Sequence, residues 1–430
     1  TEATASRFIK ILEKNNLIRP SQIISPIINL LEKKQNLVEI SRIESQSSFN
    51  SQLKRIISVL LETPLLLKII ELCPMPNIVF EILLRRLRKA FLLHDDLETS
   101  DNNYLRLQCS LALHCFTNEY VYGEDKEETQ KLEQLEKFIS DAVFNGRPLP
   151  WRHIACLASY WPLSNFNWSR NLTVPVHMVN LFLRQVHHKD CEFSLRDSIS
   201  SIGAITEDTS LAVKDQYEDN PYPRWVNIGI LQKSMTIPEV VNLVGIRTIP
   251  YELDPLNQPK ILIAGCGTGQ HSIEAAVRYA NSDITAIDLS MSSLSFALRR
   301  TRELNIENIN YFHGDILDLS SMETEFDVIE TTGVLHHMSD PFLGWRILKG
   351  CLKSNGLMRV GLYSTLARVA LSEVKESMGE LEQPITNKTI YDYRNRVLDN
   401  AGPEFEKLVR YPDFFSTSEL RDLLFHVQEH

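Results

Sequence analysis

A chain of 430 residues is too long for one hydrophobic core, so two to four structural units are expected. With 43% hydrophobic and 23% charged residues the composition is that of a globular protein, which sets aside disordered and fibrous classes. A net charge of −10 argues against a nucleic-acid binder held by phosphate contacts and suits a small cofactor or a basic partner.

The seven cysteines are odd in number and scattered, and none forms a C-x-x-C pair, so free thiols in a reducing compartment are expected. His187, His188 and Cys191 have no second Cys/His cluster to complete a metal site, so they read as a helix end and no metal is expected. The most apolar stretch, Ile56 to Leu72, is broken by Glu62, Pro64 and Lys68, which predicts a buried helix pair and no membrane span. The opening Thr1-Glu2-Ala3 lacks the apolar core of a signal peptide, and the free thiols point to a reducing cytoplasm.

In chain order, residues 1 to about 200 read as helical. Ile24 to Leu31 has helical spacing behind Pro20 and Ser21, and Val79 to Leu93 is an amphipathic helix whose arginines should form a solvated face. Further helices are expected over Asp101–Tyr122 and Glu127–Val143. Residues 145–225 hold four of the five tryptophans and many prolines, the texture of a pocket lining or domain contact. Ile199 to Asp219 is polar and reads as a linker, followed by the stiff Asn220-Pro-Tyr-Pro-Arg-Trp225. From Pro259 strand-like runs alternate with helical stretches, with strands at 260–264, 283–288, 309–313, 326–330 and 357–362. That alternation predicts an α/β fold, a parallel sheet with helices on both faces.

Three loops in this region carry chemistry. Gly265-Cys266-Gly267-Thr268-Gly269 follows the first strand and opens a helix, so its backbone can approach a ligand and present helix N-terminal amides. Asp288, 19 residues past Gly269, ends the second strand where a carboxylate accepts from two ribose hydroxyls, with Leu289 beside it. Gly314-Asp315-Ile316 follows the third, where Asp315 can accept from an adenine amino group and Ile316 can pack on the ring. A dinucleotide fold would want G-x-G-x-x-G, but Gln270 stands at the third glycine position. The ordered set points to S-adenosylmethionine (SAM). A fourth motif, Phe326 to His337, delivers Glu330 and Thr331 to the reacting end of that cofactor and is followed by His336 and His337.

Ile261–Gly269, Asp288–Leu289, Gly314–Asp315 and Gly333-Val-Leu-His-His337 together resemble a class I SAM-dependent methyltransferase. Ile263 departs from the pattern, because many members carry an acid there. Asn220–Trp225, Gly361-Leu-Tyr-Ser364, Cys115–Tyr120 and Phe414–His430 extend the resemblance across most of the chain, to the rickettsial protein lysine methyltransferases that modify outer membrane protein B. The resemblance implies a Rossmann-like core, an N-terminal all-α dimerisation region, a helical middle domain and a homodimer. It divides the chain into 1–145 (helical accessory), 146–215 (Trp/Pro-rich middle), 216–364 (SAM-binding core) and 365–430 (C-terminal helical region). No sixth and seventh strand can be read after Gly361–Tyr363, so a further C-terminal piece is expected.

The function this implies is a SAM-dependent protein lysine N-methyltransferase that leaves S-adenosylhomocysteine and acts on exposed lysines of a surface or outer membrane protein. A lysine nucleophile has to lose a proton from a group with pKa near 10.4. Glu330, His336 and Tyr222 are the candidate catalytic residues for holding the ammonium or taking its proton. The cofactor set is Gly265, Cys266, Gly267, Gly269, Asp288, Leu289, Asp315, Ile316 and Thr331, and Tyr222, Arg224 and Trp225 form a candidate lid. Plainer roles stand beside these: Glu330 binding cofactor or a backbone amide, His336 beginning a helix, Tyr222 and Trp225 packing, Arg224 pairing a structural acid. Rival functions are a methyltransferase for a phenol or quinone and a non-catalytic SAM-binding scaffold. A nucleic-acid methyltransferase is disfavoured by the acidic balance and by the lack of Asn-Pro-Pro-Tyr after the fourth strand.

Overall fold

The computed structural model describes residues 1–430 except 15, 95–101, 231–232, 246–257, 323, 365, 380–383, 401 and 427–430. Asp101 and the last four residues of the Phe414–His430 motif therefore lie outside the described residues. The chain divides into two compact units. The first comprises residues 1–190, 225–229 and 378–423, the second 191–224, 230–377 and 424–430. These boundaries differ from the four expected segments: residues 146–190 join the first unit, 191–215 the second, and the C-terminal region is shared out between them.

The first unit is helical. Leucine and isoleucine recur at helical spacing, and Ile24–Leu31 turns Ile24, Ile27, Ile28 and Leu31 inward. The apolar run at 56–72 is the expected pair, Leu53–Leu61 and Pro64–Ile70, with Pro64 at the first position of the second helix where its missing N–H costs nothing. Ile78–Leu93 starts at Asn77, whose side chain accepts from the Val79 and Phe80 amides. Its arginines correct the sequence reading. Arg88 is buried, lies 4.0 Å from the Tyr160 ring centroid and 3.8 Å from Glu128. Arg85 donates to Asn395. Glu81, on the same helix, is 1% exposed and receives Arg394 at 2.8 and 2.5 Å. A buried charge persists only when paired, so the C-terminal segment supplies the cation that this helix needs.

The second unit is built on a six-stranded parallel sheet, β1 (Ser200–Ser201), β2 (Lys260–Ala264), β3 (Asp283–Asp288), β4 (Ile309–His313), β5 (Phe326–Thr332) and β6 (Leu352–Gly361). The order is β1-β4-β3-β2-β5-β6. Side chains alternate across a strand, and β2 divides accordingly. Ile261 and Ile263 enter a core with Ala275, Leu294 and Ala297, whereas Leu262 and Ala264 enter one with Leu319, Leu335 and Leu348. A strand buried on both faces reads as a continuous apolar run, as KILIA does. Among the described residues no strand follows β6.

The stretch read as a linker is structured. Ser200–Ser201 forms the edge strand β1, and Asp208–Asp219 is a helix capped by the Glu207 side chain on the Ser210 amide. Only Ser210, Val213 and Gln216 of that helix are buried, so it has no apolar stripe to betray it.

Candidate active site at the strand ends

In open parallel sheets ligands sit beyond the carboxyl ends of the strands, near where the strand order reverses. Here the order reverses between β2 and β5, and the glycine loop leaves β2 at that point. Gly265 has φ +74°, and a Cβ there would run into the methyls of Val334 on the β5 loop. Gly267 has φ +53°, and a Cβ would meet the Tyr222 carbonyl. These two positions need glycine for conformation and for closeness. Cys266 between them is a buried thiol, pushed well above its ordinary pKa by burial and by Asp288.

The amides of this loop are used in a specific way. Gly267 N–H donates to Asp288 Oδ2 at 2.7 Å, Ser290 N–H to Asp288 Oδ1 at 2.9 Å, and Thr268 N–H to the Tyr222 carbonyl at 3.3 Å. Burial pushes the Asp288 carboxyl above its ordinary range, against the opposing pull of the two amides. Asp315 is buried and its Oδ1 caps the turn Ile316–Ser321 through the Leu317 amide at 3.0 Å. Among the described residues its Oδ2 has no protein partner. At the end of β5 Thr331 is 1% exposed and its hydroxyl has no hydrogen-bond partner among the described residues. A buried hydroxyl and a carboxylate oxygen left open at the same edge of the sheet, beyond the carboxyl ends of β5 and β4, call for an external polar ligand. Asp288, Asp315 and Thr331 thus fit an adenosyl cofactor; half-buried Leu289 and buried Ile316 supply apolar neighbours.

The helix 208–219 and the turn after it are fastened to these same loops. Ser290 Oγ donates to the Tyr217 carbonyl at 3.0 Å, Ser292 N–H and Oγ to Glu218 at 3.0 and 2.6 Å, and Thr268 Oγ1 to the Pro223 carbonyl. Tyr222 is half-buried and lies over Tyr217, centroids 6.4 Å apart. Arg224 is half-buried in the same unit, whereas Trp225 falls in the first unit, so the lid expected from Tyr222, Arg224 and Trp225 is divided after Arg224. Thr268, Ser290 and Tyr217 were not legible as site residues, because their part is to hold the 217–223 segment with single hydroxyls and carbonyls.

Glu330 has a different place from the one its motif suggested. It is 1% exposed and accepts from His271 Nε2 at 2.5 Å, Tyr279 OH at 2.6 Å and Arg278 at 2.8 and 2.9 Å, with Arg359 at 3.5 Å. Burial alone would raise its carboxyl, but the His271 bond and the Arg278 charge override it and hold the pKa at about 2. A carboxylate so held is a poor proton acceptor near neutral pH. These bonds tie β5 to the helix Gln270–Arg278 that the glycine loop opens.

Past Thr331 the β5 loop turns through Leu335–His337. His336 and His337 are buried, with ring centroids 4.1 Å apart. His336 also faces Tyr363, which follows β6, at 4.1 Å, and Arg368 caps the outer face of Tyr363 at 4.0 Å. On the other side His426 lies 3.5 Å from His337 with the rings 13° from parallel, and its Nε2 meets Tyr217 OH at 3.0 Å. One row of rings therefore runs from Tyr222, beside the glycine loop, through Tyr217, His426, His337 and His336 to Tyr363. Of these, the sequence marked Tyr222 and His336 as catalytic candidates; His426 and Tyr217 were not found, and pattern offers no signal for them.

Residues 257–402 match a family model described as a methyltransferase domain. An uncharacterized protein of Synechococcus is 32% identical over 30% of this chain and 31% of its own length. An uncharacterized protein of Rickettsia prowazekii is 27% identical over 39% of this chain and 30% of its own. The chain thus spans less than a third of either relative. Among solved structures, PKMT2 from Rickettsia typhi is 19% identical, with 45% of this chain and 39% of that one covered at a TM-score of 0.35.

Proposed function

We propose that the class I methyltransferase domain at residues 257–402, whose methyl donor is SAM, acts on lysine side chains of a surface or outer membrane protein. When bound, SAM supplies an electrophilic methyl on a sulfonium leaving group, and the glycine loop, Asp288, Asp315 and Thr331 are the residues that would hold it. The observation that carries the choice of lysine is the row of imidazole and phenol rings at the ends of β5 and β6. A lysine arrives as an ammonium, which is attracted to aromatic faces, and it reacts only after surrendering a proton. In this reading His336, buried and 4.1 Å from both His337 and Tyr363, takes that proton, and Tyr222 borders the row on the glycine-loop side. Alignment of nucleophile and methyl does the rest, because the leaving group is already activated. Cytoplasmic action, which rests on the scattered free thiols, and a homodimer joined through N-terminal helices, which rests on the family resemblance, complete the reading.

The test is incubation with radiolabelled SAM, bacterial outer membrane protein and a panel of phenols and quinols, followed by mass-spectrometric mapping. Label on lysine nitrogens is the expected result. Label on small molecules alone, or donor binding with no transfer to anything, overturns the proposal and leaves the metabolite enzyme or the scaffold respectively.

A further inference from the structure

The ring row has a feature that proton acceptance by His336 does not use. His426 comes from residues 424–426, far in sequence from the strand-end loops, yet it is the ring most closely stacked on the histidine pair, at 3.5 Å and 13°. Its edge is held as well, since Nε2 meets Tyr217 OH at 3.0 Å. Tyr217 is fixed in turn: its carbonyl takes the Ser290 hydroxyl at 3.0 Å, and its ring lies 29° from parallel with Tyr222. A face-stacked imidazole cannot pass a proton to its neighbour, because ring nitrogens donate and accept in the ring plane. It can, however, forbid its neighbour to rotate.

From this we infer that Tyr217 and His426 are positioning residues: Tyr217 holds the edge of His426, and the face of His426 fixes His337 and through it the acceptor His336. The inference rests on the proposed role of His336. The step served is transfer of one proton from the substrate ammonium to an imidazole nitrogen of His336, which leaves a neutral amine and an imidazolium. Tyr363 also lies 4.1 Å from His336, tilted 39° to it and 6.1 Å from His337, so two neighbouring rings confine the acceptor. A buried ring left free to turn loses the near-attack geometry, and misplacement of about 1 Å can cost about a hundredfold in rate.

The variants His426→Ala, His426→Phe and Tyr217→Phe, made in the full chain, separate the possibilities. His426→Ala removes the stack and should lower kcat roughly ten- to a hundredfold with KM for SAM unchanged. His426→Phe keeps the stacked face and should recover most of that loss. Tyr217→Phe should fall between them. In parallel, the ring carbon resonances of His337 should move in His426→Ala and stay near wild type in His426→Phe, a readout that needs no substrate. An unchanged kcat in His426→Ala overturns the inference. So does a His426→Phe variant as slow as His426→Ala, above all if added imidazole restores it, because His426 would then carry the proton itself. A stoichiometric divalent cation held by His337 and His426 would overturn it too. Should the wild type methylate only phenols, the lysine reading fails, but the same variants and resonances still judge the brace on a phenol acceptor.

Discussion

Replacing Glu330 with glutamine distinguishes an anchoring carboxylate from a catalytic one. Its carboxyl is held at about 2 against an ordinary 4.5. At roughly 1.4 kcal/mol for each pH unit, that gap amounts to about 3 kcal/mol of folding stability. Solvent screening does not reduce it, because the side chain is 1% exposed. The folded pKa is depressed, so the contribution is complete above pH 4.5 and fades as pH falls from there toward 2. Glu330→Gln keeps the shape and one acceptor but leaves Arg278 and His271 without their anion. The variant should lose about 3 kcal/mol at pH 7, and its deficit relative to wild type should shrink to about 1 kcal/mol at pH 3. Two units make a single unfolding transition unsafe to assume, so the relevant one is identified as the transition that added SAM raises. A variant with unchanged stability and abolished methyl transfer would refute the anchoring role and restore Glu330 as proton acceptor.

Asp288→Asn would set an amide against the Gly267 or Ser290 N–H, and SAM affinity measured by titration calorimetry should fall at least about tenfold, a loss of roughly 1.4 kcal/mol. Unchanged affinity would remove Asp288 from the cofactor site. Gly267→Ala forces a side chain into φ +53° against the Tyr222 carbonyl, which should cost about 1–2 kcal/mol in the SAM-sensitive melting transition and weaken donor binding. Arg394→Met strands Glu81 in the helical core and should cost about 3–5 kcal/mol in denaturant unfolding, whereas the double variant with Glu81→Leu should recover much of it. If the two substitutions simply add, the pair is not coupled as described.

Where composition and physics coincide, the sequence was readable. The strands at 260–264, 283–288 and 309–313 stand where the sequence placed them; the first is a continuous apolar run because it is buried on both faces, and the other two follow from their spacing after it. Gly265 and Gly267 were legible for a similar reason, since few other residues tolerate their φ. What stayed hidden was settled by distant partners. Helix 208–219 has too little apolar surface to show itself and is secured by Ser290 and Ser292. The arginines of 78–93 looked solvated until Glu128 and Tyr160 appeared beside Arg88. Glu330 occupies a position that suggested catalysis, and only the approach of His271, Arg278 and Tyr279 from the neighbouring helix turns it into an anchor.

The chain passes from one unit to the other five times, at 190/191, 224/225, 229/230, 377/378 and 423/424. For a polypeptide leaving the ribosome, this threading means that neither unit can finish early. Glu81 is synthesised 313 residues before Arg394, and Ser200 waits for Phe312 before β1 has an edge to pair with. Contacts so remote raise the contact order and slow the search, and a carboxylate buried ahead of its cation costs several kcal/mol in the interval. Vectorial synthesis therefore leaves Glu81 without its cation until Arg394 emerges, although the apolar core of the N-terminal helices draws on residues 12–186 alone. It also means that a fragment cut at residue 257 to isolate the part matching the methyltransferase-domain model would lack β1, the helix 208–219 and the Tyr222 turn, and would expose the outer edge of β4.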